Sequence, residues 1–190
     1  MTVTLPSWED EVIRIEPLTM AHLEFVIALR NNDEVRRYSG RDPFGSHDEA
    51  LAFVQKIVDN NQSGQATCWV IIEKSSGYPV GNGGAWRMDQ QHNLGEIGYS
   101  LLPPWWGKGY ISRALPPMLD YLFTVQGLHR IEANVDPRNT LSASVLQRLG
   151  FRHEGRFRQN HRHHDDYLDS DYFGLLRSEW HNPRQTMSTA

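Results

Sequence analysis

A single cysteine, Cys68, stands in the 190 residues of this chain, so no intramolecular disulfide can staple it. No apolar run approaches the ~20 residues that a membrane-spanning helix needs, and the N-terminus joins no basic segment to an apolar stretch of signal length. Positive charge is not in excess either. Lys and Arg number 19 against 23 Asp and Glu, a net charge of −4 that leaves no electrostatic footprint for nucleic acid. These deficits point to a soluble, cytoplasmic protein with neither a membrane nor a nucleic acid as partner. A chain of this length suffices for one domain with a sizeable core.

What is present is organised around Glu96 to Arg113. Glu96 to Leu102 reads as a strand, Pro103-Pro104-Trp105-Trp106 as a stiff corner, Gly107-Lys108-Gly109 as a loop, and Tyr110 as the start of a helix. Glycines at 107 and 109 let backbone N–H groups turn inward, and the helix adds unpaired amides and the positive end of its dipole, which together make an anion site. A dinucleotide fingerprint is excluded because Ser112 stands where a third glycine is needed. A P-loop is excluded because Tyr110 follows Gly-Lys-Gly.

Along the rest of the chain, residues 1–11 read as an irregular lead-in with an isolated Trp8. Val12 to Pro17 alternates as a first strand. Thr19 can cap a helix through Leu23, Val26, Ile27 and Arg30, and Ser46 to Glu49 has capping-box spacing for a second. Thr67 to Glu73 and Pro79 to Trp86 form a hairpin that leads into the Glu96 strand. Pro116 and Pro117 interrupt the helical pattern after Tyr110 and predict a kink or a late start, at about 3 kcal/mol for an interior proline. Arg130 to Val135 is a strand, and Leu141, Val145 and Leu149 mark a helix that Gly150 ends. Phe151 to Gln159 and Asp169 to Leu176 are the last strands, around a polar loop from His161 to Asp166. The tail from His181 is expected to be disordered.

This order of elements resembles the GCN5-related N-acetyltransferases, an α+β fold with a mixed, mostly antiparallel sheet flanked by helices. Trp106-Gly107-Lys108-Gly109-Tyr110-Ile111 resembles that family's acyl-CoA loop, with Trp106 and Ile111 at the outer positions. Asn139-Thr140-Leu141-Ser142 to Leu149-Gly150-Phe151 resembles its Asn-x-x-Ser…Leu-Gly-Phe segment. Together with Ile97-Gly98-Tyr99, these motifs occur in the branch that includes the ribosomal-protein alanine N-acetyltransferases. The resemblance covers residues 12–180.

The resemblance implies acetyl-CoA as co-substrate, bound where the Glu96 and Arg130 strands splay apart. Backbone groups near Leu101 would meet the pantetheine arm. Beside Trp106, the amides of Gly107, Lys108, Gly109, Tyr110, Ile111 and Ser112 would hold the pyrophosphate, with Lys108 able to add charge. Asn139 would set local geometry and touch CoA, and Ser142 would serve as acid or orienting group for the departing sulfur.

Acetyl transfer to an amine also needs a proton acceptor. Glu96 is one candidate, and an ion-paired strand glutamate is the plain alternative. His161 is the other, at a position where related acetyltransferases carry a glutamate. The His161-Arg-His163-His164-Asp165-Asp166 run matches no defensible zinc spacing, so no metal is expected. Cys68 reads as buried and inert, and Arg113 stands where the branch has Glu, with no physical account from sequence. The acceptor expected is a protein N-terminal amine of ribosomal type. The alternatives are a small-molecule amine such as an antibiotic, a polyamine or an amino-acid conjugate, or acyl-CoA binding without turnover. Composition leaves a homodimer open.

Overall fold

The computed structural model describes residues 3–183. Eight strands form one sheet: β1 (Trp8–Glu9), β2 (Ile13–Pro17), β3 (Thr67–Glu73), β4 (Pro79–Asp89), β5 (Leu94–Leu101), β6 (Arg130–Val135), β7 (Arg152–His163) and β8 (Asp166–Leu176). Their order is β1-β2-β3-β4-β5-β6-β8-β7. All neighbours are antiparallel except β5 and β6, which run parallel. The helices are α1 (Leu23–Asn31), the single turn α2 (Asp33–Arg36), α3 (His47–Ser63), α4 (Tyr110–Thr124) and α5 (Thr140–Arg148).

β3 shows how the sheet is sandwiched. Its run of apolar residues is buried on both faces, as a central covered strand requires. Trp69 and Ile71 join the core built on α4 and α5, while Val70 and Ile72 face α1 and α3. The α3 capping works as its spacing predicts: Ser46 Oγ accepts from the Glu49 amide at 3.1 Å. The Glu49 carboxylate reaches back one residue further, to the Gly45 amide at 2.8 Å.

Three sequence expectations change. α4 begins at Tyr110 and runs on through Pro116 and Pro117, so the late start is not taken. Both prolines remove a ladder donor, but Ala114, Leu115, Met118, Leu119 and Leu122 are fully buried on the same helix. Burial of each large side chain contributes about 1.5–3 kcal/mol, so the packed face outweighs the proline penalty. Trp8 is not isolated: it lies 5.4 Å from Trp69 and 6.2 Å from Tyr121, centroid to centroid, in the two-residue strand β1.

The polar segment His161–Asp166 is no loop. It is the tip of the β7–β8 hairpin, with His161 opposite Leu168 and His163 opposite Asp166. Its side chains are nearly all exposed, so the backbone ladder rather than apolar alternation holds it, and that leaves no periodic signal. Residues 184–190 of the expected tail lie outside the described residues. Just before them, the Trp180 indole donates to Asp120 at 2.6 Å. Among the described residues no helix is long and apolar enough to cross a membrane.

Candidate active site

The sheet opens at one place. β5 pairs with β6 only over Leu94–Glu96 against Arg130–Glu132. Beyond Glu96, β5 stays with β4 as far as Leu101 opposite Gly81, and β6 stays with β8 as far as Val135 opposite Asp171. The two strands therefore part into a wedge. The Leu102 amide bonds Val80 O at 2.9 Å, which sets the antiparallel parity and aims the backbone groups of Tyr99 and Leu101 into that wedge. The Trp106 indole takes the Leu101 carbonyl at 2.7 Å. The Leu101 N–H is left as that residue's ligand-facing group.

The loop past the wedge is shaped by two left-handed glycines, Gly107 at φ +70° and Gly109 at φ +81°. A Cβ at either would meet nothing within 4 Å, so the demand for glycine there is conformational. The first helical bond of α4 runs from the Arg113 amide to Gly109 O at 3.1 Å, which leaves the amides of Tyr110, Ile111 and Ser112 ahead of the ladder. That is a cradle suited to a pyrophosphate. The Ile111 side chain is spent on the core, and Lys108 is exposed.

Glu73, at the end of β3, ties the loop down. Its carboxylate accepts from the Tyr110 hydroxyl, from the Trp105 indole at 3.1 Å and from Ser76 Oγ at 2.8 Å. The Tyr110 bond first, then those of Ser76 and Trp105, hold the Glu73 carboxyl below its ordinary value. The same bond raises the Tyr110 phenol. Arg113 also gains an account: its guanidinium bonds Glu11 at 2.6 Å and Asp10 at 3.2 Å, fastening the lead-in to α4.

Asn139 and Ser142 divide two tasks. Asn139 Oδ1 caps α5 by accepting from the Ser142 amide at 3.1 Å, which frees Ser142 Oγ to meet the Tyr99 hydroxyl at 2.8 Å. That hydroxyl also donates to the Ser142 carbonyl at 3.2 Å. Burial pushes the Tyr99 phenol up to about 12, so it stays protonated at any working pH. Tyr99 stands in the Ile97-Gly98-Tyr99 motif, where the sequence alone assigns it no role. Its strand parity was the available signal, because residues 97, 99 and 101 turn toward the α4 and α5 core.

Glu96 therefore points to the opposite face of β5 from Tyr99, toward α1 and α3. It is 15% exposed and pairs with Arg87 at 2.9 Å. Arg41, from the segment between α2 and α3, stands nearby. Desolvation lowers its guanidinium pKa, Arg30 and Arg87 add to that by repulsion, and Glu96 opposes them. His161 lies on the hairpin tip with its ring against Gly40, where an added Cβ would come within 2.5 Å of Nε2. Among the described residues, no hydrogen bond or ion pair joins His161 to Glu96 or Ser142. The structure thus brings Ser142, Asn139 and Tyr99 together at the wedge and leaves His161 on the rim.

A wedge with backbone groups on one wall, an anion cradle at its end, and a carboxylate and a phenol on opposite faces of one strand suits acyl transfer from a phosphate-bearing thioester to an amine. The comparisons agree. Residues 13–152 match the family model described as Acetyltransferase (GNAT) domain. The uncharacterized N-acetyltransferase p20 of Bacillus licheniformis is 35% identical over 175 residues, 90% of this chain and 98% of that one. The crystal structure of ribosomal-protein-S5-alanine acetyltransferase from Vibrio fischeri superposes with a TM-score of 0.81 at 24% identity, covering 93% of this chain and 100% of that one. Spermidine N-acetyltransferase from Vibrio cholerae, in complex with CoA and spermine, superposes at 0.80 with 23% identity, covering 90% and 98%. The chain belongs to the GNAT acetyltransferase family and is an acetyl-CoA-dependent N-acetyltransferase.

Proposed function

We propose that this enzyme acetylates a protein N-terminal amine of the ribosomal-protein kind in preference to a polyamine. One observation carries the choice: Arg87 pairs with Glu96 at 2.9 Å, and Arg41 stands within electrostatic reach of Glu96, of Arg87 and of Arg30. A polyamine brings several positive charges and would have to enter beside these guanidinium groups. A peptide N-terminus brings one positive charge, together with carbonyl oxygens that guanidinium donors can hold.

Acetyl-CoA supplies the acetyl group and the leaving thiolate. The amides from Gly107 to Ser112 hold its pyrophosphate, and the Leu101 N–H meets its pantetheine arm. Glu96, kept close by Arg87, accepts the amine's proton directly or through one water. As the C–N bond forms and the C–S bond breaks, the Tyr99 and Ser142 hydroxyls deliver a proton to the departing sulfur. Tyr99 is the better source, since a phenol is a far stronger acid than an alkyl hydroxyl, and Ser142 orients it.

The acceptor assignment is tested by thiol release with ribosomal-protein N-terminal peptides and with spermidine. A higher kcat/KM for peptides is expected, and Arg41→Glu should shift the preference toward spermidine. A wild-type preference for spermidine overturns the acceptor. The base is tested by pH–rate profiles of Glu96→Gln and His161→Ala. Loss of the acidic limb in Glu96→Gln alone is expected, whereas its loss only in His161→Ala moves the role to the hairpin tip.

A further inference from the structure

On the hairpin tip, two histidines meet a carboxylate from a distant part of the chain. Asp42 belongs to the segment between α2 and α3, and its Oδ1 lies 2.9 Å from His164 Nε2 and 3.4 Å from His163 Nε2. One donor atom from each of the three residues falls within 4.8 Å of the others. His163 Nε2 is shut away from solvent and makes no hydrogen bond of good geometry.

We propose that Asp42, His163 and His164 form a binding site for a divalent transition-metal ion of the zinc or nickel class. Two imidazole nitrogens and one carboxylate oxygen are the donor set such ions favour over magnesium or calcium. Ligands held at about 2.0–2.1 Å with tetrahedral angles lie about 3.3 Å apart, and the observed separations of 2.9 and 3.4 Å bracket that spacing. Consecutive residues on a strand point to opposite faces and cannot share an ion. His164 escapes that rule because its φ of +53° takes it off the strand. The two rings accordingly stand 4.2 Å apart, centroid to centroid.

The other histidine–carboxylate contacts among the described residues, such as His92 with Asp89 and His47 with Glu24, pair one imidazole with one carboxylate. The Asp42 cluster differs in joining segments 122 residues apart. Asp42 is itself anchored, since its carbonyl accepts from Arg30 Nε at 3.0 Å. An ion here would fasten the hairpin tip to the segment that carries Arg41, and so stiffen one wall of the acceptor mouth. Closing so long a loop gives the cross-link a stabilising effect.

The test is calorimetric titration of the full, metal-stripped chain with zinc and with nickel, alongside its thermal unfolding. Wild type and the control His92→Ala should bind one equivalent and unfold at a higher temperature with the ion. Asp42→Asn, His163→Ala and His164→Ala should each weaken binding by more than about tenfold and lose the thermal shift. Should His163→Ala fail to fold, the exposed positions Asp42 and His164 decide the matter alone. Absence of binding to wild type overturns the site. So does binding of equal strength in Asp42→Asn and His164→Ala, which would mark adventitious capture by surface imidazoles.

Discussion

Phenylalanine at position 99 would keep the ring against the core and delete only the hydroxyl that meets Ser142 Oγ at 2.8 Å. We expect Tyr99→Phe to lower kcat by about 100-fold, the lower end for a lost general acid, with KM for acetyl-CoA little changed. Ser142→Ala should cost less, because the phenol remains. Steady-state kinetics of the two variants check this, and a larger loss in Ser142→Ala would reverse the roles. The pH dependence follows from the same burial. With its folded pKa raised to about 12, Tyr99 stays protonated where an unfolded tyrosine begins to ionise near ~10, so its contribution to stability holds below that range and is lost as pH rises through the folded value. An alkaline limb in the rate near neutrality therefore cannot belong to Tyr99. Asn139 and Ser142 were legible through resemblance to the Asn-x-x-Ser…Leu-Gly-Phe segment, a pattern that sits within a few consecutive residues. Tyr99 meets Ser142 across 43 positions, and no local pattern announces such a contact.

At the scale of the element, the anion cradle was readable from its glycines and its link to acyl-CoA from family resemblance, while its anchor was not legible. Glu73 lies 37 residues from Tyr110 and looks like an ordinary strand end. Glu73→Gln would keep the shape but weaken the charge-assisted bonds to Tyr110, Trp105 and Ser76. We expect a several-fold rise in the Kd for CoA by calorimetry. Since the folded pKa of Glu73 is depressed, its contribution is present above the ordinary carboxylate range and lost as pH falls through the lowered value. Wild-type affinity should accordingly drop on the acid side, and the variant should lack that drop. Gly109→Ala tests the loop backbone: the added methyl meets nothing, so the left-handed φ alone costs about 1–2 kcal/mol. CoA affinity should weaken, and Tm should fall by about 2–8 °C. The prolines of α4 teach the reverse lesson. A correct local penalty yielded to burial, which only the assembled core reveals.

For the whole molecule, the wedge is where the sheet is held together least, because β5 and β6 share no ladder beyond Glu96 and Glu132. The β1–β5 side carries the Glu73 anchor and Tyr99, and the β6–β8 side carries Ser142 and the hairpin, so a ligand in the wedge bridges both. Such a bridge binds the folded chain alone, and at 100 times its Kd it should add about 2.7 kcal/mol to unfolding. For a chain of this size that is a rise in Tm of about 5–10 °C. The location of the effect is the sharper expectation. On adding CoA, hydrogen exchange should slow at the amides of Leu101 and of Tyr110, Ile111 and Ser112, which face the wedge or precede the α4 ladder, while Ser100, bonded to β4, should change little. The splay was inferred from family resemblance, since strand separation leaves no mark in composition or periodicity. Protection confined to the hairpin tip, or spread evenly through β4 and β5, would show that CoA binds elsewhere and that the parity drawn from the Leu102 bond to Val80 does not define the binding wall.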